Sequence, residues 1–313
     1  MSPFLKRLFV VWGCAWVLFL FNAGRIIATQ SKGEAYTPHT DRGGKYLKNA
    51  YWGPVTSNID WCETNYALSP YIAEFFNSLT SLAFVVAGIY GIVQCRRTGA
   101  DIKFTLCCIG IALVGVGSTL FHATMLRETQ TADEAPMGVV SSLFLYIMCT
   151  SHPGATKARK RNLATFLTIY TSAMYAIMFI FPEKAWIFHL TLVWIVAACV
   201  IVMVQIYKEA DGKEPAFHPR LQPLIEYTIA FAIISWTLWS VEPLVCNSLL
   251  GHLQLHAWWH LGMASACFCL LHSLISYRFT HLGKAHELVD IISPRLPMGI
   301  LVVDTEAASH KTD

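Results

Sequence analysis

The sequence predicts an all-α polytopic membrane protein: a bundle of seven transmembrane helices with an additional hydrophobic segment at the amino terminus. Of its 313 residues, 55% are hydrophobic and only 14% are charged, whereas soluble domains carry about 25% charged residues. The mean hydropathy is +0.46. Because backbone polar groups find no partners in lipid, such runs cross a bilayer as helices. The small net charge of +3 excludes a nucleic-acid-binding surface.

Seven apolar segments are the predicted spans, since about 20 mostly apolar residues cross the hydrocarbon. They lie near Tyr71–Gln94, Phe104–Thr124, Pro136–Ser151, Leu163–Phe181, Trp186–Tyr207, Pro223–Val241 and Leu255–Tyr277. Their connections are short, so we expect one membrane domain over residues 45–277, followed by a tail over residues 278–313.

The amino terminus is typical of a targeting segment. Lys6 and Arg7 precede the apolar run Leu8–Phe21, and small residues follow it. This pattern indicates a cleaved signal peptide or an uncleaved signal anchor within residues 1–44. In both cases the segment Asn22–Pro70 would be carried across the membrane.

The distribution of Lys and Arg predicts the orientation. The connections after the first, third and fifth predicted spans are rich in Lys and Arg. The only Lys or Arg residues in the connections between them are Arg127 and Lys184. Basic loops face the cytosol, so we expect these loops and the carboxyl-terminal tail there. Asn22–Pro70 and the connection before the seventh span would face the lumen of the secretory pathway.

Two cysteines fall in segments predicted to lie on the lumenal side, namely Cys62 and Cys246. The remaining cysteines lie mostly in predicted spans, where cysteine is commonly a small apolar core residue. Since an oxidising lumen favours disulfides, we hypothesise that Cys62 pairs with Cys246.

Three histidines are candidate metal ligands. His256 and His260 are four residues apart, which places both imidazoles on one helix face. His122 ends the second span at the same membrane face. Three protein ligands with one open position are typical of a catalytic zinc. The alternative is a set of bundle-lining histidines satisfied by hydrogen bonds.

Polar residues near His122 are candidate catalytic groups. Ser118 lies one helical turn before His122, and Asp133 and Glu134 precede Pro136 at the expected start of the third span. Asp133 could reach a water at the metal, but it could equally cap that helix. Glu134 could hold either role on spacing alone, and Ser118 could be a small packing residue in a tight helix contact.

A second polar cluster precedes the first span, where Asp60, Trp61, Glu63 and Asn65 are followed by Glu74. Oxygen donors around a turn suit a hard cation such as Ca²⁺. A solvated acidic loop is the alternative. Glu74, expected at the start of a membrane helix, needs a partner there and so favours the calcium interpretation.

Five linked motifs resemble the alkaline ceramidase family, whose members are seven-span intramembrane amidases of the secretory pathway. The resemblance implies that this chain lies in the membrane of the endoplasmic reticulum, the Golgi or both. The resemblance runs from about Tyr51 to about Tyr277. It is carried by the sequences Tyr51–Pro54, Asp60–Asn65 with Tyr71–Phe75, Ser118–His122, Asp133–Met137 and His256–His260. The chain departs from the family at Ser240–Pro243, where the family usually has an Asn and an Asp after a tryptophan.

The resemblance implies a role for each matching residue. His122, His256 and His260 match the zinc ligands, and Ser118 and Asp133 match the serine and aspartate that bracket the water at the metal. The calcium ligands would be Asp60, the backbone carbonyl of Trp61, Glu63, Asn65 and Glu74. Cys62 and Cys246 match a family disulfide.

The expected activity is therefore zinc-dependent hydrolysis of the amide bond of ceramide, dihydro- and phytoceramide included, to a sphingoid base and a fatty acid. Calcium would be structural or regulatory. The expected partners are the lipid substrate and the bilayer, with no nucleic acid and no obligate protein. The alternative is a non-enzymatic seven-span zinc receptor of the related adiponectin-receptor-like class.

Overall fold

The computed structural model describes residues 47–181, 185–211, 217, 219–284, 286–290 and 300–304, together with the single residues Val10, Gly13 and Val17. The predicted amino-terminal targeting segment lies outside the described residues apart from these three. Its cleavage and the domain boundary at residue 44 therefore stay predictions.

Seven long helices form the bundle in the described part of the chain, which confirms the predicted fold class. They are α1 (Phe75–Thr98), α2 (Ile102–Thr124), α3 (Arg127–Ser151), α4 (Lys157–Ile180), α5 (Ala185–Asp211), α6 (Leu221–Val245) and α7 (Leu255–His281). Of these, all but α3 are long and apolar enough to cross a membrane by length and composition alone. Short 3₁₀ helices cover Leu47–Asn49 and Leu249–Leu253.

Helix α3 differs from the prediction, because it begins at Arg127 rather than near Pro136. Pro136 lies inside the helix, so Asp133 is an interior helical residue and the alternative of an N-cap at Asp133 was wrong. A polar turn comes before the apolar run, and within it the Gln130 Nε2 atom donates to Glu134 Oε1 at 2.9 Å. Such a pair one helical turn apart supports helix where apolar periodicity gives no signal.

The segment before α1 folds over the end of α2. Glu74 N donates to the His122 carbonyl at 2.8 Å and Ala73 N to the Ala123 carbonyl at 2.9 Å, while the amides of Thr56 and Ser57 both donate to Met125 O at 3.1 Å. The last carbonyls of a helix lack partners within it. This segment supplies them, so it is held against the end of α2 that carries His122.

Glu74 itself lies outside the helix that was expected to contain it. It occupies the N-cap position of α1 with extended backbone angles. The amides of Phe76 and Asn77, in the first turn of α1, donate to the Glu63 carboxylate at 2.8 and 2.9 Å. Glu63 therefore caps α1, since a carboxylate favours the positive end of the helix dipole.

Glycine allows α2 and α3 to approach closely beside His122. A Cβ atom at Gly117 would collide with the backbone carbonyl of Ala132, so only glycine permits this spacing. Small residues commonly allow such contacts between membrane helices. The contact brings Asp133 next to Ser118.

The end of the bundle away from His122 is held by Arg278 near the end of α7. Its guanidinium donates to Asp101 Oδ2 and to the Ser151 carbonyl, both at 3.1 Å.

Beyond α7, the tail contains an antiparallel strand pair, β1 (His286–Asp290) and β2 (Ile300–Asp304). This pair was not predicted from the sequence, and its Leu288 is buried against the helical core.

A cavity of about 250 Å³ lies inside the bundle between α2, α3, α5, α6 and α7. Most of its lining is apolar, as at Val140, Leu192 and Met203. Asp133 and His256 line it as well, so polar groups from the end of the bundle that carries His122 (the histidine end) open into a mostly apolar space.

The structure pairs Cys62 with Cys246 across 184 residues of sequence, with Cα atoms 5.0 Å apart. This separation falls within the range that a disulfide spans. The bond joins the segment before α1 to the end of α6.

We expect the double substitution Cys62→Ser with Cys246→Ser to destabilise the protein by about 2–5 kcal/mol. Without the bond, the unfolded chain is less restricted and has a higher conformational entropy. The measurement is denaturant unfolding in detergent under non-reducing conditions. Cys149→Ser, at a half-buried free thiol, is the matched control and should change stability much less. Peptide mapping of native protein that found both thiols free would contradict the pairing.

Candidate metal and active site

Three buried histidines from two helices converge at one end of the bundle. His122 comes from the last turn of α2, and His256 and His260 from the first turns of α7. One ligand-type nitrogen from each lies within 4.8 Å of the other two. The residues predicted from sequence as a cluster are therefore adjacent in the fold.

Each of these imidazoles is approached at its Nδ1 atom by a different residue. Glu74 Oε2 lies 2.5 Å from His122 Nδ1, Glu242 Oε2 lies 3.4 Å from His256 Nδ1, and Thr80 Oγ1 lies 3.0 Å from His260 Nδ1. Metal-binding histidines characteristically have their second nitrogen held by a carboxylate or another polar group.

The second nitrogen of His122 is left without a partner. His122 Nε2 is buried and has no hydrogen-bond partner. A buried polar atom without a partner is unfavourable by about 1–3 kcal/mol. The donor set and this unsatisfied atom fit a divalent metal such as zinc, which binds imidazole nitrogen at about 2.0–2.1 Å.

Glu242 was missed in the sequence analysis. It lies at the point where the chain departs from the family pattern, and it is almost completely buried next to Pro243 inside α6. Its Oε1 atom accepts a hydrogen bond from the Cys62 amide at 3.2 Å. One carboxylate thus links His256, the disulfide and the segment before α1.

Trp61, in the segment before α1, packs against the histidine cluster. Its ring stacks on His256 with centroids 3.8 Å apart and planes 21° apart. The Trp61 amide donates to Glu74 Oε1 at 3.2 Å. Trp61 therefore connects His256 with Glu74, the residue that contacts His122.

Ser118 and Asp133 lie beside the three histidines. The Ser118 hydroxyl is 3.4 Å from His260 Nε2 and accepts a hydrogen bond from Ser81 Oγ at 3.0 Å. It also interacts with the Asp133 carboxylate, which lines the cavity. Ser118 and Asp133 were both chosen from the sequence, whereas Ser81 was not.

Glu134 is the less favourable of the two adjacent carboxylates for a catalytic role. Its Oε1 atom is engaged by Gln130 one turn earlier, and no comparable contact links it to Ser118. The neighbouring Asp133 is electrostatically coupled to His122. The geometry therefore distinguishes two residues that spacing left equivalent.

The acidic cluster before α1 is buried rather than solvated, so the alternative of a solvated loop was wrong. Asp60, Glu63, Asn65 and Glu74 are each at most 4% exposed. Asn65 Nδ2 donates to Asp60 Oδ1 at 2.9 Å, and Asn65 Oδ1 has no hydrogen-bond partner.

The electrostatics of this cluster favour a bound cation. Burial and the nearby Glu74 raise the pKa of Glu63 to about 7, and burial and Asp60 raise the pKa of Glu74. Several buried carboxylates at short range repel one another. The unpaired amide oxygen of Asn65 and these carboxylates are the oxygen ligands that Ca²⁺ prefers.

Three further histidines in or near the helices lie outside the three-histidine cluster. His252 is exposed in the 3₁₀ helix before α7. His272 is buried and its Nδ1 atom lies 2.8 Å from the Phe268 carbonyl, as expected of a packing residue. His189 lines the cavity.

The sequence was compared with those of known proteins. The family model Ceramidase matches residues 53–298. The mouse protein "Alkaline ceramidase 3" is 28% identical over 252 residues, covering 76% of this chain and 87% of the mouse protein. "Putative alkaline ceramidase dcd3A" of Dictyostelium discoideum is 31% identical over 283 residues, covering 78% of this chain and 96% of its own length. "Alkaline ceramidase" of Arabidopsis thaliana is 29% identical over 226 residues, covering 71% and 84% of the two chains. The chain therefore belongs to the ceramidase family, as its motifs indicated.

Proposed function

We propose that the protein hydrolyses the amide bond of ceramide, dihydro- and phytoceramide included, to a sphingoid base and a free fatty acid, with zinc held by His122, His256 and His260. The proposal rests chiefly on these three buried histidines, gathered beside Ser118 and Asp133. The names of the family relatives support ceramide as the substrate class.

The cavity supports a lipid substrate. Its walls are mainly apolar and its polar groups include Asp133 and His256 at the histidine end. A two-tailed lipid that enters from the bilayer would bury its chains along residues such as Leu192 and Met203. Its amide would then lie near Asp133 and the histidines.

Zinc bound at the three histidines would supply a Lewis acid that polarises the amide carbonyl and makes water a better nucleophile at neutral pH. Asp133 accepts the proton of the attacking water and returns it to the amide nitrogen as the C–N bond breaks. Ser118 donates a hydrogen bond to the oxygen that becomes negatively charged in the transition state. Glu74 and Thr80 orient the rings of His122 and His260, and Trp61 stacks on the ring of His256.

Calcium at Asp60, the Trp61 carbonyl, Glu63, Asn65 and Glu74 would be structural or regulatory. A cation there would offset the repulsion among buried carboxylates and hold the segment before α1 in place. Since Glu74 also contacts His122, loss of the cation would alter the histidine cluster through the Glu74 side chain.

The proposed orientation places the histidine end in the lumen of the endoplasmic reticulum or Golgi and the carboxyl terminus in the cytosol. The basic connections all belong to the end opposite the histidines, because successive helices alternate in direction. The Cys62–Cys246 pair lies at the histidine end, which is consistent with an oxidising compartment.

Purified protein should release fatty acid from labelled ceramide, and His256→Ala should abolish this release because the metal loses a ligand. His252→Ala, at an exposed histidine near the same end, is the matched control and should retain activity. Undiminished hydrolysis by His256→Ala would contradict the zinc mechanism. A wild type inactive on a panel of ceramides would instead favour a zinc receptor.

Asp133→Asn and Ser118→Ala should lower kcat while leaving the bound zinc unchanged, because neither residue is a proposed ligand. We expect a loss of about 10²–10⁴-fold for Asp133→Asn and about 10²–10³-fold for Ser118→Ala. Glu134→Gln is the matched control and should have a smaller effect. A greater loss of kcat for Glu134→Gln than for Asp133→Asn would assign the proton transfer to Glu134 instead of Asp133.

Calcium should raise the thermal stability of the protein in detergent. At 100 times its Kd, a single ion that binds only the folded state stabilises it by about 2.7 kcal/mol. Asp60→Asn should remove most of this gain, whereas Glu128→Gln, at an exposed carboxylate near the same end, should preserve it. An equal calcium-dependent shift in wild type and Asp60→Asn would argue against the site.

A further inference from the structure

A second group of metal-ligand side chains lies at the end of the bundle opposite the three histidines. His152 follows the last residue of α3, Glu209 lies in the last turn of α5, and His281 ends α7. One ligand atom from each lies within 4.8 Å of the other two. Nothing in the proposed hydrolysis uses these residues.

The distances among the three side chains suit a small cation. Glu209 Oε1 lies 3.2 Å from His281 Nε2 and 3.8 Å from His152 Nε2. Two tetrahedral zinc ligands at about 2.0–2.1 Å from the metal are about 3.3 Å apart. The carboxylate oxygen and the two imidazole nitrogens thus need only small adjustments to share one ion.

His281 supplies the most enclosed ligand atom of the group. Its Nε2 atom is shielded from solvent and lies 3.2 Å from Glu209 Oε1. A metal between them would satisfy both atoms.

Neighbouring residues hold the candidate ligands in place. Tyr277 Oη donates to the other carboxylate oxygen of Glu209 at 2.7 Å, which leaves Oε1 free to face the histidines. The Phe217 ring stacks on Tyr277 and meets His281 edge-on, with centroids 5.8 and 5.6 Å apart. Polar groups that orient a ligand in this way raise metal affinity.

The charge and exposure of the site allow a cation to enter and stay. The nearby guanidinium of Arg278 is paired with Asp101 at 3.1 Å, so its charge is largely compensated. The His152 side chain is 52% exposed and that of Glu209 35% exposed, whereas that of His281 is 14% exposed. The group is therefore open on one side and enclosed on the other.

From this geometry we infer a second divalent-metal site, with zinc as its expected ion, formed by His152, Glu209 and His281. Two imidazoles and one carboxylate are a ligand set that zinc binds well. The ion would join the ends of α3, α5 and α7. Because α5 supplies cavity residues such as Leu192 and Met203, the site would fix one wall of the cavity from its far end.

Zinc content measured by plasma mass spectrometry after dialysis against a zinc buffer tests this site. Protein purified without a histidine tag should bind one zinc fewer per chain when His152→Ala and His281→Ala are combined. The same loss is expected in a His256→Ala/His260→Ala background, where zinc should fall from one to none. Retention of wild-type zinc content by the His152→Ala/His281→Ala protein would overturn the inference.

Two further variants keep the result interpretable. Glu209→Gln preserves size and should weaken zinc binding at this site by at least about tenfold without unfolding the protein. His252→Ala, at an exposed histidine of the other end, should change neither zinc content nor melting temperature. The His256→Ala/His260→Ala protein separates the two sites: the zinc lost on making it belongs to the three-histidine cluster, and the zinc that it retains belongs to the second site, so either site can fail without the other.

Discussion

The contact between Glu74 and His122, 2.5 Å apart and fully buried, is the interaction on which the rest of the histidine end depends. An ionisable pair in a membrane protein is unfavourable unless each group has a partner. Glu74 reaches His122 only because the segment before α1 runs across the last turn of α2, where its amides bind the helix carbonyls. The position of the His122 imidazole therefore depends on the segment before α1, on the end of α2 and on the buried Glu74 carboxylate.

The same segment connects the other features of this end. Trp61 stacks on His256, its amide binds Glu74, and the next residue, Cys62, joins α6 through the disulfide. Glu242 lies between Cys62 and His256. The proposed calcium ligands belong to this segment too, so a cation bound there would stabilise the arrangement that holds the histidines. Stability and catalysis are expected to share these residues.

Much of the fold and of the cluster could be predicted because the signals are local. Seven apolar runs determine seven helices, and the spacing of His256 and His260 places both on one face. Glu242 could not be predicted, because its role depends on α6 extending past Pro243 to meet α7 and Cys62. The early start of α3 was missed for a similar reason: its first turns are polar and are stabilised by the Gln130–Glu134 pair and by packing against Gly117. Spacing alone could not separate Asp133 from Glu134; the resemblance to the family favoured Asp133, and its contact with Ser118 supports that choice.

X-ray absorption at the zinc edge tests the central claim, the three-imidazole zinc site, most directly. The sample would be His152→Ala/His281→Ala protein loaded with one zinc per chain, so that only the histidine end contributes. We expect three imidazole nitrogens at about 2.0–2.1 Å from the zinc and one fewer after His256→Ala. A spectrum without imidazole scattering, or one unchanged by His256→Ala, would contradict the three-imidazole site.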